Sequence, residues 1–151
     1  MKVLIVYHSM HHGNTRVIAE ALATALYAEC REVGQVKPQD LRGYDLIGFG
    51  SGIYFGKHHQ SLIKLAERMQ PIRGQQAFIF STAGVAFLSK RWHRALRAAL
   101  AGRGVPVCGE FCSAGYDTYA ILGVIGGIHR GRPDQRDVDR AVMFAKELSG
   151  R

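Results

Sequence analysis

The chain has 151 residues, enough for one domain with a buried core, and residues 1–151 are treated as a single domain. Hydrophobic residues make up 47% of the chain and charged residues 21%, a balance that excludes an intrinsically disordered protein. Twenty lysines and arginines against 12 aspartates and glutamates give a formal net charge of +8, which indicates an anionic partner, cofactor or surface.

The first half of the chain alternates strand-like and helix-like segments. Residues 2–7 are apolar at nearly every position, as expected of a strand that is covered on both faces. A helical pattern begins at Asn14 and Thr15, a weaker strand is predicted at 30–36, and a third strand is predicted at 45–51. A helix over 60–69 follows. The short apolar run at the N-terminus reads as the first strand rather than as a signal peptide.

The second half repeats the alternation. Strands are predicted at 76–81 and 105–112, and helices at 90–100 and 134–148. Alternating strands and helices are typical of parallel strands joined by right-handed crossovers. The fold class predicted is therefore α/β, a doubly wound sandwich of three layers around a five-stranded parallel sheet. No apolar run approaches the ~18–20 residues of a membrane span, so no stable membrane insertion is expected.

The cysteines indicate a reducing compartment. Cys108 and Cys112 lie four positions apart on one predicted strand, which separates their Cα atoms by roughly 13 Å, beyond the ~7 Å limit of a disulfide. The cysteine count is odd and no metal-type pair is present. We expect reduced thiols and a cytoplasmic protein.

Polar, glycine-containing segments follow three of the predicted strands. They read SMHHGNT after the first strand, SGIYFGKHH after the third and STAGVAF after the fourth. Ligands of open parallel sheets bind beyond the carboxyl ends of the strands. The three segments are therefore expected to converge on one site.

The first of these segments has the chemistry of a phosphate-binding loop. Ser9, Asn14 and Thr15 supply side-chain donors, Gly13 permits close approach of the backbone, and the first amides of the following helix point outward. An alternative is that Asn14 and Thr15 only cap the helix while Gly13 makes a turn.

Taken together, the motifs HHGNT, GFGSGIYFGKHH, FSTAG and GYDTY…GGIHRGRPDQRD resemble the flavodoxin family, in a branch common in prokaryotes, nearly from end to end. The resemblance implies the sheet order 2-1-3-4-5 and FMN as cofactor. It departs from many flavodoxins in one respect: Gly13 lies four positions after Ser9, where the family loop places its glycine three positions after the first hydroxyl residue. His11 and His12 then stand where hydroxyl residues are common, and an imidazole N–H can replace a hydroxyl donor.

The resemblance assigns three groups of residues to the cofactor. The phosphate loop would comprise Ser9, His11, His12, Gly13, Asn14 and Thr15; the first flavin loop Ser51, Gly52, Ile53, Tyr54, Phe55 and Gly56; the second Ser81, Thr82, Ala83 and Gly84. Tyr54, Phe55 and Phe87 are candidates for contact with the isoalloxazine ring. Five histidines, His8, His11, His12, His58 and His59, follow strands 1 and 3. No cysteine or carboxylate nearby completes a metal shell, so no metal site is predicted, and these histidines are expected to be exposed donors around the cofactor phosphate.

The function implied is that of an FMN-containing electron carrier working between redox partner proteins. The cofactor carries the chemistry, so no catalytic side chain is required and a stand-alone enzyme is less favoured. The basic surface suggests partners with acidic docking surfaces, and a monomer or weak dimer is expected. The alternative is an enzyme, an FMN-dependent NAD(P)H/quinone-type reductase or a protoporphyrinogen dehydrogenase-like protein. A nucleic-acid-binding module is disfavoured because the cations are scattered and no such motif is present.

Charge around the flavin should differ from that of the familiar acidic flavodoxins. Residues 51–59 contain no acidic residue and include Lys57, and four basic residues lie between 90 and 94. Cations near the ring stabilise the anionic, fully reduced flavin. The resemblance and the charge together predict a cofactor that is less reducing than in acidic flavodoxins.

Overall fold

The structure is a computed structural model that describes residues 1–9, 13–82, 89–113 and 134–150. Five parallel strands form the sheet: β1 Val3–His8, β2 Glu29–Glu32, β3 Leu46–Tyr54, β5 Gln76–Thr82 and β6 Val107–Ser113. A two-residue strand, β4 Lys57–His58, pairs antiparallel with the end of β3. The order β2-β1-β3-β5-β6 confirms the predicted topology, to which the structure adds β4.

The helices lie on both faces of the sheet. They are α1 Asn14–Leu26, α2 Gln60–Glu67, α3 Ser89–Trp92, α4 Arg94–Gly102 and α5 Gln135–Ser149, with 3-10 turns at Val33–Gln35 and Pro38–Gly43. Helices α1 and α5 pack on one face, and α2 and α4 on the other. The predicted three-layer sandwich is confirmed. Within the described segments, no helix is long and apolar enough to cross a membrane.

Strand β1 is apolar throughout because both of its faces are buried. Leu4 and Val6 belong to the core beneath α2 and α4, whereas Val3 and Ile5 belong to the core beneath α1 and α5. All four side chains are at most 3% exposed. The strand that carries the first polar loop is thus held in place from both sides.

Glycines in β3 make room for two aromatic rings of the neighbouring strand. A Cβ on Gly48 would overlap the ring of Phe78, and one on Gly50 would overlap the ring of Phe80. Both rings are fully buried on the α1 and α5 side of the sheet. The GFG sequence of β3 therefore serves strand packing on this face.

The predicted boundaries of the second strand and of the helix over 90–100 were wrong. The strand predicted at 30–36 ends at Glu32, whose side chain accepts a hydrogen bond from the Gly34 amide and so starts a 3-10 turn. The helix predicted at 90–100 is interrupted at His93, between α3 and α4. A side-chain hydrogen bond sets the first of these boundaries, and such bonds are not visible in hydrophobic periodicity.

Candidate functional site

Strand register brings polar side chains together at the carboxyl edge of the sheet. Ser51 of β3 is the register partner of His8 on one side and of Ser81 on the other. One residue further along, Thr82 pairs with Gly52 and Ser113. The predicted convergence of the loops after β1, β3 and β5 thus rests on direct strand neighbours.

The N-terminus of α1 opens directly onto this edge. Gly13 is the N-cap residue, with a φ of 65°, and Asn14 and Thr15 are the first residues of the helix. The alternative placed Asn14 and Thr15 at the cap of the helix, and this placement is wrong because Gly13 occupies the N-cap position. Both are buried, at 6% and 3% exposed. The Thr15 hydroxyl lies 2.8 Å from that of Thr82, which joins the first loop to β5.

Two buried polar atoms at the end of β1 have no hydrogen-bond partner among the described residues. They are the hydroxyl oxygen of Ser9 and Nε2 of His8. Buried polar atoms are normally satisfied, because leaving one unpaired costs about 1–3 kcal/mol. Unpaired hydrogen-bond donors near a helix N-terminus can bind an anion, and a phosphate group could accept hydrogen bonds from both of these atoms.

An aromatic cluster stands between the first loop and the hairpin of β3 and β4. The imidazoles of His8 and His59 stack with centroids 3.7 Å apart, and the Tyr54 ring meets both edge-on, at 6.0 and 5.1 Å. Burial and the proximity of His8 lower the pKa of His59. Nδ1 of His8 lies 3.9 Å from the carboxylate of Glu32 at the edge of the sheet.

The segment predicted as the first flavin loop is a β-hairpin. The Ser51 hydroxyl donates to the Gly52 carbonyl at 2.6 Å and accepts from the amide of His59 at 3.0 Å, which ties the two ends of the hairpin together. At the tip, Phe55 and Gly56 both have positive φ, 52° and 79°. The Ser51 hydroxyl is therefore engaged within the protein, and the tip residues project outward.

A second network, which the sequence prediction missed, begins at Ser81. The Ser81 hydroxyl lies 2.7 Å from Nε2 of His93, and Nδ1 of His93 lies 2.8 Å from the carboxylate of Glu110. Arg97 donates to both oxygens of that carboxylate, at 2.7 and 2.8 Å. Because the carboxylate only accepts, Nδ1 of His93 carries the proton and Nε2 accepts from Ser81.

Burial and hydrogen bonding shift the pKa values of His93 and Glu110 in this network. Burial lowers the pKa of His93, although its hydrogen bond to Glu110 acts in the opposite direction. Burial raises the pKa of Glu110, but hydrogen bonds from Arg97 and His93 outweigh that effect and the pKa is lowered overall. The carboxylate is therefore charged and the imidazole neutral. Glu110 is a charged residue within a predicted strand, and this feature of the sequence could have indicated a buried hydrogen-bond partner.

His58 is placed differently from what its sequence position suggests. It is fully buried, donates from Nε2 to the Phe80 carbonyl at 2.9 Å and has its ring 4.9 Å from that of His93. Burial, with a smaller contribution from His93, lowers its pKa to about 4. The interpretation of His58 as an exposed donor for the cofactor phosphate was wrong, because the short strand β4 turns this side chain inward.

The described structure brings most of the predicted site residues to the same edge of the sheet. It gathers Ser9, Gly13, Asn14, Thr15 and Thr82 at one end, and it engages Ser51 and Ser81 in internal hydrogen bonds. Gly52, Ile53, Tyr54, Phe55 and Gly56 lie in the hairpin. His11, His12, Ala83, Gly84 and Phe87 lie outside the described residues, and the assignment of all the predicted site residues to the cofactor remains a prediction.

Comparison with known proteins agrees with this architecture. An uncharacterized protein of Methanocaldococcus jannaschii, MJ0298, is 45% identical over 148 residues, which cover 98% of each chain. Among solved structures, oxidised flavodoxin 2 from Bacillus cereus superposes with a TM-score of 0.74 at 21% identity, over 99% of each chain. Oxidised flavodoxin 1 of the same organism gives 0.73 at 16% identity, over 99% of this chain and 98% of that one.

A family defined as the flavodoxin domain matches residues 4–105. The match spans more than half of the chain, from β1 to the end of α4. It therefore contains all three polar strand ends described above. The chain belongs to the flavodoxin family.

Proposed function

We propose that this protein binds FMN and carries electrons between redox partner proteins. Membership of the flavodoxin family supports a flavin cofactor. The observation that carries the proposal is the pair of buried, unsatisfied atoms, Ser9 Oγ and His8 Nε2, beside the N-terminus of α1. Among the described residues they have no internal partner, and a ligand phosphate would satisfy them.

The protein's part is to bind and orient the cofactor. Ser9, Thr15 and the amides after Gly13 would hold the phosphate, and Tyr54 and Gly56 of the hairpin would lie beside the ring. When bound, FMN supplies one-electron redox chemistry, so no side chain need act as acid, base or nucleophile. Internal hydrogen bonds of Ser51 and Ser81 keep the walls of this cradle fixed.

The surroundings of the cradle are basic. The hairpin carries Lys57 at its tip, and Arg91 and Arg94 lie on the adjacent helices. Cations at this position favour the anionic form of the reduced cofactor and attract acidic proteins. A cytoplasmic monomer or weak dimer serving such partners remains our expectation.

The test is titration of apoprotein with FMN by calorimetry, with riboflavin as the control that lacks the phosphate. We expect FMN to bind at least tenfold more tightly than riboflavin. Anaerobic potentiometry of the loaded protein should then resolve two one-electron steps, the second at a less negative potential than in acidic flavodoxins. Absence of FMN uptake would refute the proposal.

A reductase that acts directly on a small molecule is the second candidate. An open groove of about 490 Å³ beside the hairpin tip lies within the size range of small-molecule sites. Rapid oxidation of NAD(P)H with a quinone acceptor and no partner protein would favour this function. Slow turnover together with fast exchange of single electrons would favour the carrier.

A further inference from the structure

A groove runs between the tip of the β3–β4 hairpin and the helices that follow β5. It has a volume of about 490 Å³ and is open to solvent. Phe55 and Lys57 form its hairpin side, Arg91 and Arg94 lie on its helix side, and Ala95 and Ala98 form an apolar floor. Phe55, Lys57, Arg91 and Arg94 are exposed, whereas Ala95 is half-buried and packs against the core beneath α2 and α4.

The aromatic ring in this groove does nothing for the stability of the fold. The side chain of Phe55 is fully exposed, at 104%, and its backbone has a φ of 52°. A bulky residue with left-handed backbone angles is strained, and a phenyl ring exposed to water contributes no hydrophobic stabilisation. Strain of this kind clusters at functional sites. The ring becomes favourable once another apolar group covers it.

The three cations of the groove are not neutralised by the described part of the chain. Arg16 and Arg97, by contrast, form ion pairs with Glu20 and Glu110. No described carboxylate forms such a pair with Lys57, Arg91 or Arg94. Arg94 is also the first residue of α4, where the helix dipole disfavours a positive charge. The arrangement leaves a concentrated positive potential around an apolar floor.

We propose that this groove docks an acidic segment of a partner protein, with carboxylates on the three cations and an apolar side chain against Phe55, Ala95 and Ala98. Exposed aromatic and arginine side chains around an apolar centre are typical of protein interfaces. A nucleic acid would need a longer track of cations and several stacking rings. The inference rests on the proposed electron-carrier function only in taking the partner to be a redox protein.

The test uses a fluorescein-labelled peptide with four acidic residues around one phenylalanine, followed by fluorescence anisotropy. The double variant Arg91→Glu/Arg94→Glu should weaken binding at least tenfold. The Arg94→Glu change places an acidic residue at the start of α4, which favours the helix, and Arg91 is exposed on α3, so this variant is expected to stay folded. Replacing the peptide's phenylalanine by serine should weaken binding at least threefold.

A second basic groove provides a matched control. It measures about 220 Å³ and contains Lys64 on α2 and Arg68 just after that helix, with Val36 and Leu65 in its walls but no exposed aromatic ring. The variant Lys64→Glu/Arg68→Glu changes the net charge by the same amount and should alter peptide binding less than twofold. Equal losses in the two double variants would overturn the proposal, because binding would then follow net charge alone.

Further measurements distinguish failure of the docking site from failure of the proposed function. Peptide binding is measured on apoprotein and on FMN-loaded protein, and the groove-specific loss is expected in both. If FMN is not taken up but that loss is observed, the proposed function fails and the docking site stands. If FMN binds but the peptide does not discriminate between the variants, the docking site fails. Tighter, groove-dependent binding of a labelled oligothymidylate of equal charge would also overturn it.

Discussion

The hydroxyl groups of Thr15 and Thr82 lie 2.8 Å apart, although 67 residues separate them in the chain. One belongs to the first turn of α1 and the other to the end of β5, and both are buried. This hydrogen bond joins the proposed phosphate loop to the strand that precedes the second predicted flavin loop. It therefore links two walls of the cradle before any cofactor is bound.

The first prediction concerns this pair. In Thr82→Val, the buried Thr15 hydroxyl loses its partner, and the free energy of unfolding of the apoprotein should fall by about 1–2 kcal/mol. In the double variant Thr15→Val/Thr82→Val, both groups are apolar and the loss should be smaller than the sum of the two single losses. Urea unfolding measures all three variants. Strict additivity would show that the two hydroxyls do not interact.

The second prediction tests the unsatisfied hydroxyl at the end of β1. Ser9→Ala should weaken FMN binding by about 1–2 kcal/mol, because a hydrogen bond to a charged phosphate is lost. Riboflavin has no phosphate, so its affinity should be unchanged. Fluorescence titration of the apoprotein compares the two ligands. A parallel loss for both would place Ser9 at the ring rather than at the phosphate.

The third prediction concerns pH. The pKa of His58 is about 4 in the folded protein and near 6.5 when the chain is unfolded. Below pH 6.5 the unfolded state takes up a proton that the folded state refuses, so stability is lost as pH falls towards 4. This histidine contributes a slope of up to about 1.4 kcal/mol per pH unit over that range.

The variant that isolates this contribution is His58→Gln, whose side-chain amide can still donate to the Phe80 carbonyl. Its free energy of unfolding should fall less steeply between pH 6.5 and 4.5 than that of the parent protein. His59 titrates in both proteins, so its contribution cancels in the difference, whereas the ring of His93 lies 4.9 Å from that of His58 and the difference includes the coupling between them. Parallel curves for the two proteins would mean that His58 is protonated normally in the folded state.

The fourth prediction addresses the close packing of β3 against β5. Gly50→Ala places a methyl group in the space of the buried Phe80 ring and should destabilise the protein by about 1–3 kcal/mol. Gly102→Ala at the end of α4, where a Cβ meets open space, is the control and should be neutral or slightly stabilising. Adding Phe80→Leu to Gly50→Ala should recover part of the loss. Thermal unfolding of the apoprotein tests this order.

Sequence pattern was sufficient for the framework of the fold. Continuous apolar runs such as the one in β1 and helical periodicity such as that of α1 are local properties, and they predicted a parallel sheet covered by helices on both faces. The family resemblance then supplied the strand order, which the structure confirms. The polar residues at the strand ends could be located from the sequence because parallel strands end on the same edge.

Side-chain pairing was decided only by the tertiary structure. Nothing in the local sequence indicates that His93 binds Ser81 and Glu110, or that β4 buries His58, because each contact joins segments far apart in the chain. Periodicity reports which face of an element is apolar, whereas a hydrogen bond depends on the angle and distance between two elements. The sequence by itself therefore determined the layers of the sandwich and the edge of the sheet where the polar loops meet. Packing between strands and helices decided which polar groups at that edge are hydrogen-bonded within the protein and which have no partner among the described residues.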